Sequence, residues 1–510
     1  MARPGGLVRG FLSVGIWTFV SRLTGFIRDI LMAAWLGTGP VAEAFLIALS
    51  LPNMFRRFFA EGAFNTAFVP MFSKRLEDRA GAERFAGEAF SGLFATVLAL
   101  SALAMIFMPA LVWLMASGFA GDERFALAVE YGRITFPYIL LISMASMISG
   151  VLNANGRFHA AAAAPVLLNL LFIAAMALAR VRGWDMGLTL AWSTPITGIA
   201  QLGLVWWDAR RTGWRFWPRR PRLSPDMRRL LAVALPAAFA GGVVQLNLLI
   251  GRQVGSRFEG AIAWLSYSDR LYQLPLGVVG AAVAVVLLPE LARRIAAGDD
   301  AGGQQAYSRA TEFGLFLTIP SAFAIAVIAE PMVSTLFQRG AFDADDTVQT
   351  ARALVVYALG LPAFVLQKIL QPLYFAREDT RTPFRFALMS MVVNAAVAFG
   401  LMPFIGFLAA ALGTTIAAWV MVAQLWWGTR KMGQAARGDA RLGRTAPRIV
   451  LSAALMAGAL WMTMRWTDGM TDVVELAILV LGGAAIYFAL AFATGAYRLS
   501  ELKAAVRRRR

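Results

Sequence analysis

The sequence predicts an all-α polytopic membrane protein of about fourteen transmembrane helices. They are expected as two six-helix lobes of like orientation plus a C-terminal helix pair. Three observations carry this expectation: composition, the recurrence of apolar segments, and a repeat of prolines. Of 510 residues, 59% are hydrophobic and 15% charged, against about 45–50% and about 25% in soluble domains. Apolar runs near the roughly 20 residues that cross a bilayer recur from end to end and leave no room for a soluble catalytic domain.

The first segment, 7–36, follows Arg3 and has the charge and apolarity of a signal peptide. It lacks an A-x-A cleavage site and runs on through Arg22 and Arg28, so it is read as an uncleaved span. Segment 41–72 carries Pro52 and Pro70, and the loop after it, 73–85, holds four basic residues. Segments 86–116 and 125–153 contain Pro109 and Pro137; 161–180 and 187–209 complete an N-terminal lobe, 1–210. A basic cytoplasmic linker, 211–229, leads to the C-terminal lobe, 230–430, with segments 230–252, 260–291, 310–337, 348–375, 383–402 and 407–428. A loop, 431–446, precedes the pair 447–465 and 472–496 within 447–497, read as a groove for a lipid tail, and a basic tail, 498–510, follows. Segments longer than about 25 residues with internal glycine or proline are expected to tilt or kink.

Prolines place the repeat. Pro52 pairs with Pro275, Pro70 with Pro289, Pro109 with Pro331, Pro137 with Pro362 and Pro165 with Pro383, at offsets of 218 to 225 residues. Five of seven prolines between 40 and 200 have such a partner, where chance placement gives roughly two. That offset covers six spans, an even number, so both copies run the same way through the membrane, as in transporters built from parallel repeats.

Net charge is +18, and its distribution orients the chain. With the N-terminus in the cytoplasm, 33 Lys and Arg fall in cytoplasmic segments and seven on the other side, among them Arg124. Such a bias is the positive-inside signature, and it places both termini in the cytoplasm. The basic residues sit in short loops beside the membrane, which suits anionic lipid headgroups and not nucleic acid.

Several chemistries are excluded. There is no cysteine, one histidine (His159), and four lysines, none in a phosphate loop. Disulfides, thiolate or histidine metal sites, cofactor-bearing motifs and a Ser-His-Asp triad are therefore not expected. The acidic runs Asp299-Asp300 and Asp343-Ala344-Asp345-Asp346 read as solvated loop ends, not as the carboxylate cluster of a membrane enzyme.

Eight basic residues remain inside spans: Arg22, Arg28, Arg56, Arg57, Arg133, Arg270, Arg352 and Lys368. Each costs at least about 2.5–3.5 kcal/mol at the bilayer centre, so such residues face water, a ligand or a partner. Arg133 and Arg352 lie near outer span ends and are read as snorkelling. Arg22 and Arg28 flank Gly25 and stand about 240° apart on an ideal helix, so a bend at Gly25 would be needed to aim both at one ligand. Asp29 is the neighbouring acid. Arg56 follows Pro52 by four residues, while Arg270 precedes Pro275 by five. Arg57 and Glu61 have the i,i+4 spacing of an ion pair, and Glu43 is read as a counter-charge or proton site. Asp269 adjoins Arg270, and Lys368 stands with Gln367 and Gln371. Arginine surplus points to an anion gripped through forked geometry, above all a diphosphate. An amphiphile with a diphosphate head and a hydrocarbon tail also employs two lobes and an extra helix pair.

These residues carry a resemblance. Ser21-Arg22-Leu23-Thr24-Gly25-Phe26-Ile27-Arg28-Asp29, Leu51-Pro52-Asn53-Met54-Phe55-Arg56-Arg57, Asp269-Arg270-Leu271 and Tyr374-Phe375-Ala376-Arg377-Glu378-Asp379-Thr380-Arg381-Thr382-Pro383 closely resemble the MviN/MurJ family of bacterial lipid II flippases. That family lies within the multidrug/oligosaccharidyl-lipid/polysaccharide exporter superfamily. The resemblance implies a non-enzymatic flippase of the bacterial cytoplasmic (inner) membrane, moving the undecaprenyl-diphosphate-linked peptidoglycan precursor outward by alternating access. It implies Arg22, Arg28, Arg56 and Arg270 as substrate-binding residues, Asp29 and Glu43 as associated acids, and functional proximity to cell-wall synthesis proteins. Gln273 stands where some relatives have an acid, and Lys368 lies where some have a cation site. The alternative on the same fold is a multidrug or organic-cation antiporter, whose cavity would carry acids and aromatics.

Overall fold

The computed structural model describes residues 4–59, 63–467 and 469–496, with side chains excepted at 4–13, 57–59, 63, 66, 235, 237–244, 246 and 278–288. Among the described residues all regular structure is helical, and ten helical stretches are long and apolar enough to cross a membrane. The helices are α1 (Pro4–Leu36), α2 (Pro40–Phe59), α3 (Ala63–Ser73), α4 (Arg79–Ile106), α5 (Met108–Met115), α6 (Glu123–Thr135), α7 (Tyr138–Ala154), α8 (His159–Arg182), α9 (Met186–Arg211) and α10 (Pro225–Gly255). They continue with α11 (Ala261–Ala296), α12 (Asp300–Phe337), α13 (Ala344–Ala358), α14 (Leu361–Phe375), α15 (Arg381–Ile405), α16 (Leu408–Thr429), α17 (Ala440–Thr467) and α18 (Asp472–Ala493). Taken as pairs, α2 with α3, α4 with α5, α6 with α7 and α13 with α14 correspond to single apolar segments, so the described helices are consistent with about fourteen segments.

Paired prolines produce paired breaks. A proline ring clashes with the carbonyl four residues back and lacks an N–H, so a helix yields just before it. Pro109 follows the break at Phe107, and its partner Pro331 follows a kink at Ile328, where φ and ψ are −102° and 19°. Pro137 separates α6 from α7, and Pro362 opens α14 after α13. Contacts repeat as well: α8 packs on α9 as α15 does on α16, and α7 on α9 as α14 does on α16. The ends of α7 and α14 also match, since Gly156 and Glu378 both take a left-handed φ, 74° and 59°.

Two compact units divide the chain, the first comprising 1–263 with 339–342 and the second 264–338 with 343–510. The division does not fall at the linker. Helix α10, expected in the C-terminal lobe, packs on α2, α3 and α4 of the first unit. The linker is docked there too: Trp214 and Phe216 are each 1% exposed, Arg79 stacks 3.5 Å over the Trp214 ring, and Arg75 meets Asp226 at 2.6 Å. Burial of two aromatic rings outweighs the solvation of the surrounding arginines.

In the second unit α17 and α18 pack together against α12, with Phe316, Ile319, Met456, Leu460 and Leu479 in the shared core. Tyr487 donates to the Phe316 carbonyl at 2.8 Å. Their outer faces expose Leu451, Leu455, Trp461, Val473 and Leu481. One acidic run departs from its expected solvation. Asp343 and Asp346 form a capping box at the start of α13, and Asp346 is buried, accepting from Trp264 Nε1 at 2.7 Å. A free helix N-terminus and an indole N–H supply the donors that make its burial tolerable.

Candidate substrate-binding site

Arg28 is held by groups from two helices, α1 and α8. Helix α1 is unbroken through Gly25, which places Arg22 on an exposed face and Arg28 against α8. The Arg28 side chain is 14% exposed. Its Nε and Nη2 donate to Asp29 Oδ1 at 3.1 and 2.7 Å, and Nη1 donates to Asn169 Oδ1 at 3.0 Å. Phe172 lies beneath, its centroid 6.0 Å from the guanidinium. Gly25 serves the approach of α8: a Cβ there would lie 3.2 Å from Asn169 Nδ2. A charge-assisted cluster of this kind sets a cation at one angle while satisfying only part of its donors.

Arg56 lies half-buried on α2, one turn after Pro52. Pro52 leaves the Ala48 carbonyl without its usual donor, and Thr135 Oγ1 of α6 supplies one at 3.2 Å. The side chain of Arg57 and the whole of Glu61 lie outside the described residues.

Glu43 has no exposed surface. Its Oε2 accepts from Arg124 Nη1 at 2.8 Å and its Oε1 from the Ile262 amide at 2.9 Å. Arg124, expected in an outer loop, is 6% exposed. Asp122 holds its Nε at 2.6 Å, and the Phe119 ring lies 4.5 Å from it. Gln253 and Ser256 extend the clamp, binding Ser117 Oγ at 2.6 Å and the Gly118 amide at 3.1 Å. The acid is thus the counter-charge of Arg124 in a buried polar joint of α2, α6 and the α10–α11 turn.

The second unit carries the other candidates. Arg270 is exposed on α11 and Asp269 beside it is half-buried, with Gln273 Nε2 donating to the Asp269 carboxylate. Lys368 is exposed on α14, while Gln367 is engaged with the Ala418 carbonyl at 3.0 Å. Arg133 and Arg352 are exposed, and Arg133 Nε donates to the Met105 carbonyl at 3.2 Å. Among the described residues no group of three or more metal-ligating side chains assembles.

The stretch 374–383 is tied down by hydrogen bonds to its own turn and to the end of α16. Tyr374 donates to the Leu425 carbonyl at 2.6 Å, and Arg377 to those of Leu373 and Met432 at 2.8 and 2.9 Å. Asp379 Oδ1 accepts from the Thr382 amide at 3.0 Å. The Thr382 donors and Arg385 hold the Asp379 carboxyl below its ordinary range.

Sequence reasoning missed Asn169 and the burial of Arg124. Asn169 had a signal, being a lone amide in an otherwise apolar run. Arg124 had only its position three residues after Gly121, since its partner stands 81 residues away.

A family model described as lipid II flippase MurJ matches residues 32–482. The probable lipid II flippase MurJ of Rhizobium meliloti is 46% identical to this chain over 98% of it and 96% of the relative. A solved structure of lipid II flippase MurJ in an inward closed conformation shares the fold, with a TM-score of 0.80 at 24% identity, covering 94% of this chain and 97% of that one. An inward-facing multidrug resistance MATE family transporter of the MOP superfamily has a TM-score of 0.60 at 16% identity over 84% and 94%. It shares the fold alone. With the family model matching most of the chain and a relative of such identity aligned nearly end to end, this chain belongs to the lipid II flippase MurJ family.

Proposed function

We propose that this protein is a lipid II flippase: it carries the polyprenyl-diphosphate-linked disaccharide-pentapeptide from the inner to the outer leaflet of the cytoplasmic membrane. The observation that carries this reading is the near-full-length 46% identity to the Rhizobium meliloti relative. Chemistry supports it, because Arg22, Arg28, Arg56 and Arg270 are forked cations in apolar helices, suited to a diphosphate and ill suited to an organic cation. The diphosphate engages them in the course of an alternating-access cycle. Membrane potential, negative inside, favours outward movement of the anionic head by about 2.3 kcal/mol per charge per 100 mV, where the returning carrier does not cancel it. Asp29, Asp269, Lys368 and Glu61 modulate the local charge.

The exposed apolar faces of α17 and α18 support a groove for the polyprenyl tail. The excess of 33 basic residues over seven supports cytoplasmic termini and contact of the loops with anionic lipids. Working beside cell-wall synthesis proteins follows from the precursor carried. The deciding experiment depletes the protein in growing cells and adds an external enzyme that cleaves lipid II only on the outer leaflet. Loss of cleavage, restored by the wild-type gene, is expected; undiminished cleavage after depletion defeats the reading and brings the exporter alternative forward.

A further inference from the structure

We infer that Asn169 is a positioning residue for the diphosphate: with Asp29 it holds the Arg28 guanidinium in the orientation that receives the anion. This rests on the lipid II reading above and assigns a role to a residue on a different helix. Asn169 is 5% exposed in the middle of α8. Its Oδ1 takes one N–H of Arg28 at 3.0 Å, while its Nδ2 donates to the Ser21 carbonyl at 2.9 Å and to Thr24 Oγ1 at 3.2 Å. Both ends of the amide are therefore in use.

The chemistry admits few substitutes. A guanidinium only donates and a peptide carbonyl only accepts. A side chain bridging Arg28 and Ser21 must therefore present an acceptor to one and a donor to the other, at fixed ends. Aspartate lacks the donor and leucine lacks both. Neutrality matters equally. Asp29 already supplies one negative charge, and a second carboxylate would cancel the attraction that Arg28 offers a phosphate, whereas an amide orients the cation and leaves its charge intact. Of the five N–H of Arg28, Asp29 takes two and Asn169 one. Two remain for a ligand, and the geometry of the other three sets their direction. Gly25 completes the arrangement, since any Cβ there would press on the amide at 3.2 Å.

The test measures the Kd of purified protein for lipid II in wild type, Asn169→Ala, Asn169→Asp, Arg28→Ala and the Arg28→Ala/Asn169→Ala double variant, with thermal unfolding as a check of folding. Asn169→Ala is expected to raise Kd about tenfold, the scale of one charge-assisted hydrogen bond, and Asn169→Asp to raise it more. The double variant should match Arg28→Ala, because Asn169 acts only through that arginine. A purely structural role would lower thermal stability and add its loss to that of Arg28→Ala; that additive outcome, or wild-type Kd in a folded Asn169 variant, overturns the inference. Should Asn169→Ala fail to fold, the neutral and nearly isosteric Asn169→Leu carries the same comparison in both backgrounds. Failure of the wild type to bind lipid II would instead strike the proposed function.

Discussion

Arg124 on α6 donates to Glu43 on α2 across 2.8 Å in the interior of the first unit, although 81 residues separate them. Their burial joins a residue that reads as a loop cation to one that reads as a counter-charge or proton site. The same carboxylate caps the Ile262 amide at the start of α11, so the joint also fastens the α10–α11 turn to α2. Removing one partner of a buried pair strands the other charge and typically costs about 3–5 kcal/mol. Glu43→Ala and Arg124→Ala should each lower thermal stability in detergent on that scale. Unfolding curves that coincide with wild type would refute the joint's importance.

The docked linker leads to a second expectation. Trp214 is enclosed by Phe72, at a centroid distance of 5.2 Å, and by Arg79. Trp214→Ala should cost about 3–5 kcal/mol where the site cannot collapse and release the following arginines. Limited trypsin digestion should then cut at Arg215 and Arg219 several times faster than in wild type; equal rates would mean that the segment is held by other contacts.

Arginine geometry can be separated from arginine charge at the candidate site. Arg28→Lys keeps the cation but loses the fork that spans Asp29 and Asn169. Outer-leaflet delivery of lipid II should fall at least about tenfold in Arg28→Lys and be lost in Arg28→Ala and Arg270→Ala, with membrane insertion unchanged. Delivery retained in both alanine variants would defeat the assignment.

Glu378 offers a stabilising change. It takes a φ of 59°, where the equivalent turn of the first half has Gly156 at 74°. An L side chain there costs roughly 1–2 kcal/mol, and glycine adds back roughly 0.5–1 kcal/mol of chain entropy. Glu378→Gly should accordingly raise stability by up to about 1.5 kcal/mol, read as a higher Tm; a lower Tm would show that the carboxylate does more than tolerate the turn.

Acid should erase the contribution of Asp379. Its folded carboxyl is held below the ordinary range by Thr382 and Arg385, so its stabilising effect is complete above the unfolded pKa and vanishes as pH falls through the folded one. Wild type should exceed Asp379→Asn in stability at neutral pH, with the gap closing under acid. A gap unchanged with pH would remove the charge from the explanation.

How much was legible follows from which interactions are local. Apolar segments, prolines and basic loops act on their own stretch of chain, so the helices, their breaks at Pro109 and Pro137 and the doubling of the fold can be read in order. Arg28 and Asp29 are adjacent, and their pairing was likewise visible. Arg124 was not, because a cation two residues from a turn looks solvated until a distant carboxylate is known to face it. Nor was the allegiance of α10: sequence order assigns it to the second half, whereas packing on α2, α3 and α4 draws it to the first.

The sequence by itself determined a membrane protein of doubled helical architecture, its expected orientation and the chemical character of its ligand, since composition, periodicity and charge sign are properties of the chain. Only the tertiary structure decided which distant groups meet, as Glu43 meets Arg124 and Arg28 meets Asn169. That choice depends on which helix faces which. A single buried amide such as Asn169 gains its meaning from the carbonyl and guanidinium that folding brings to its two ends.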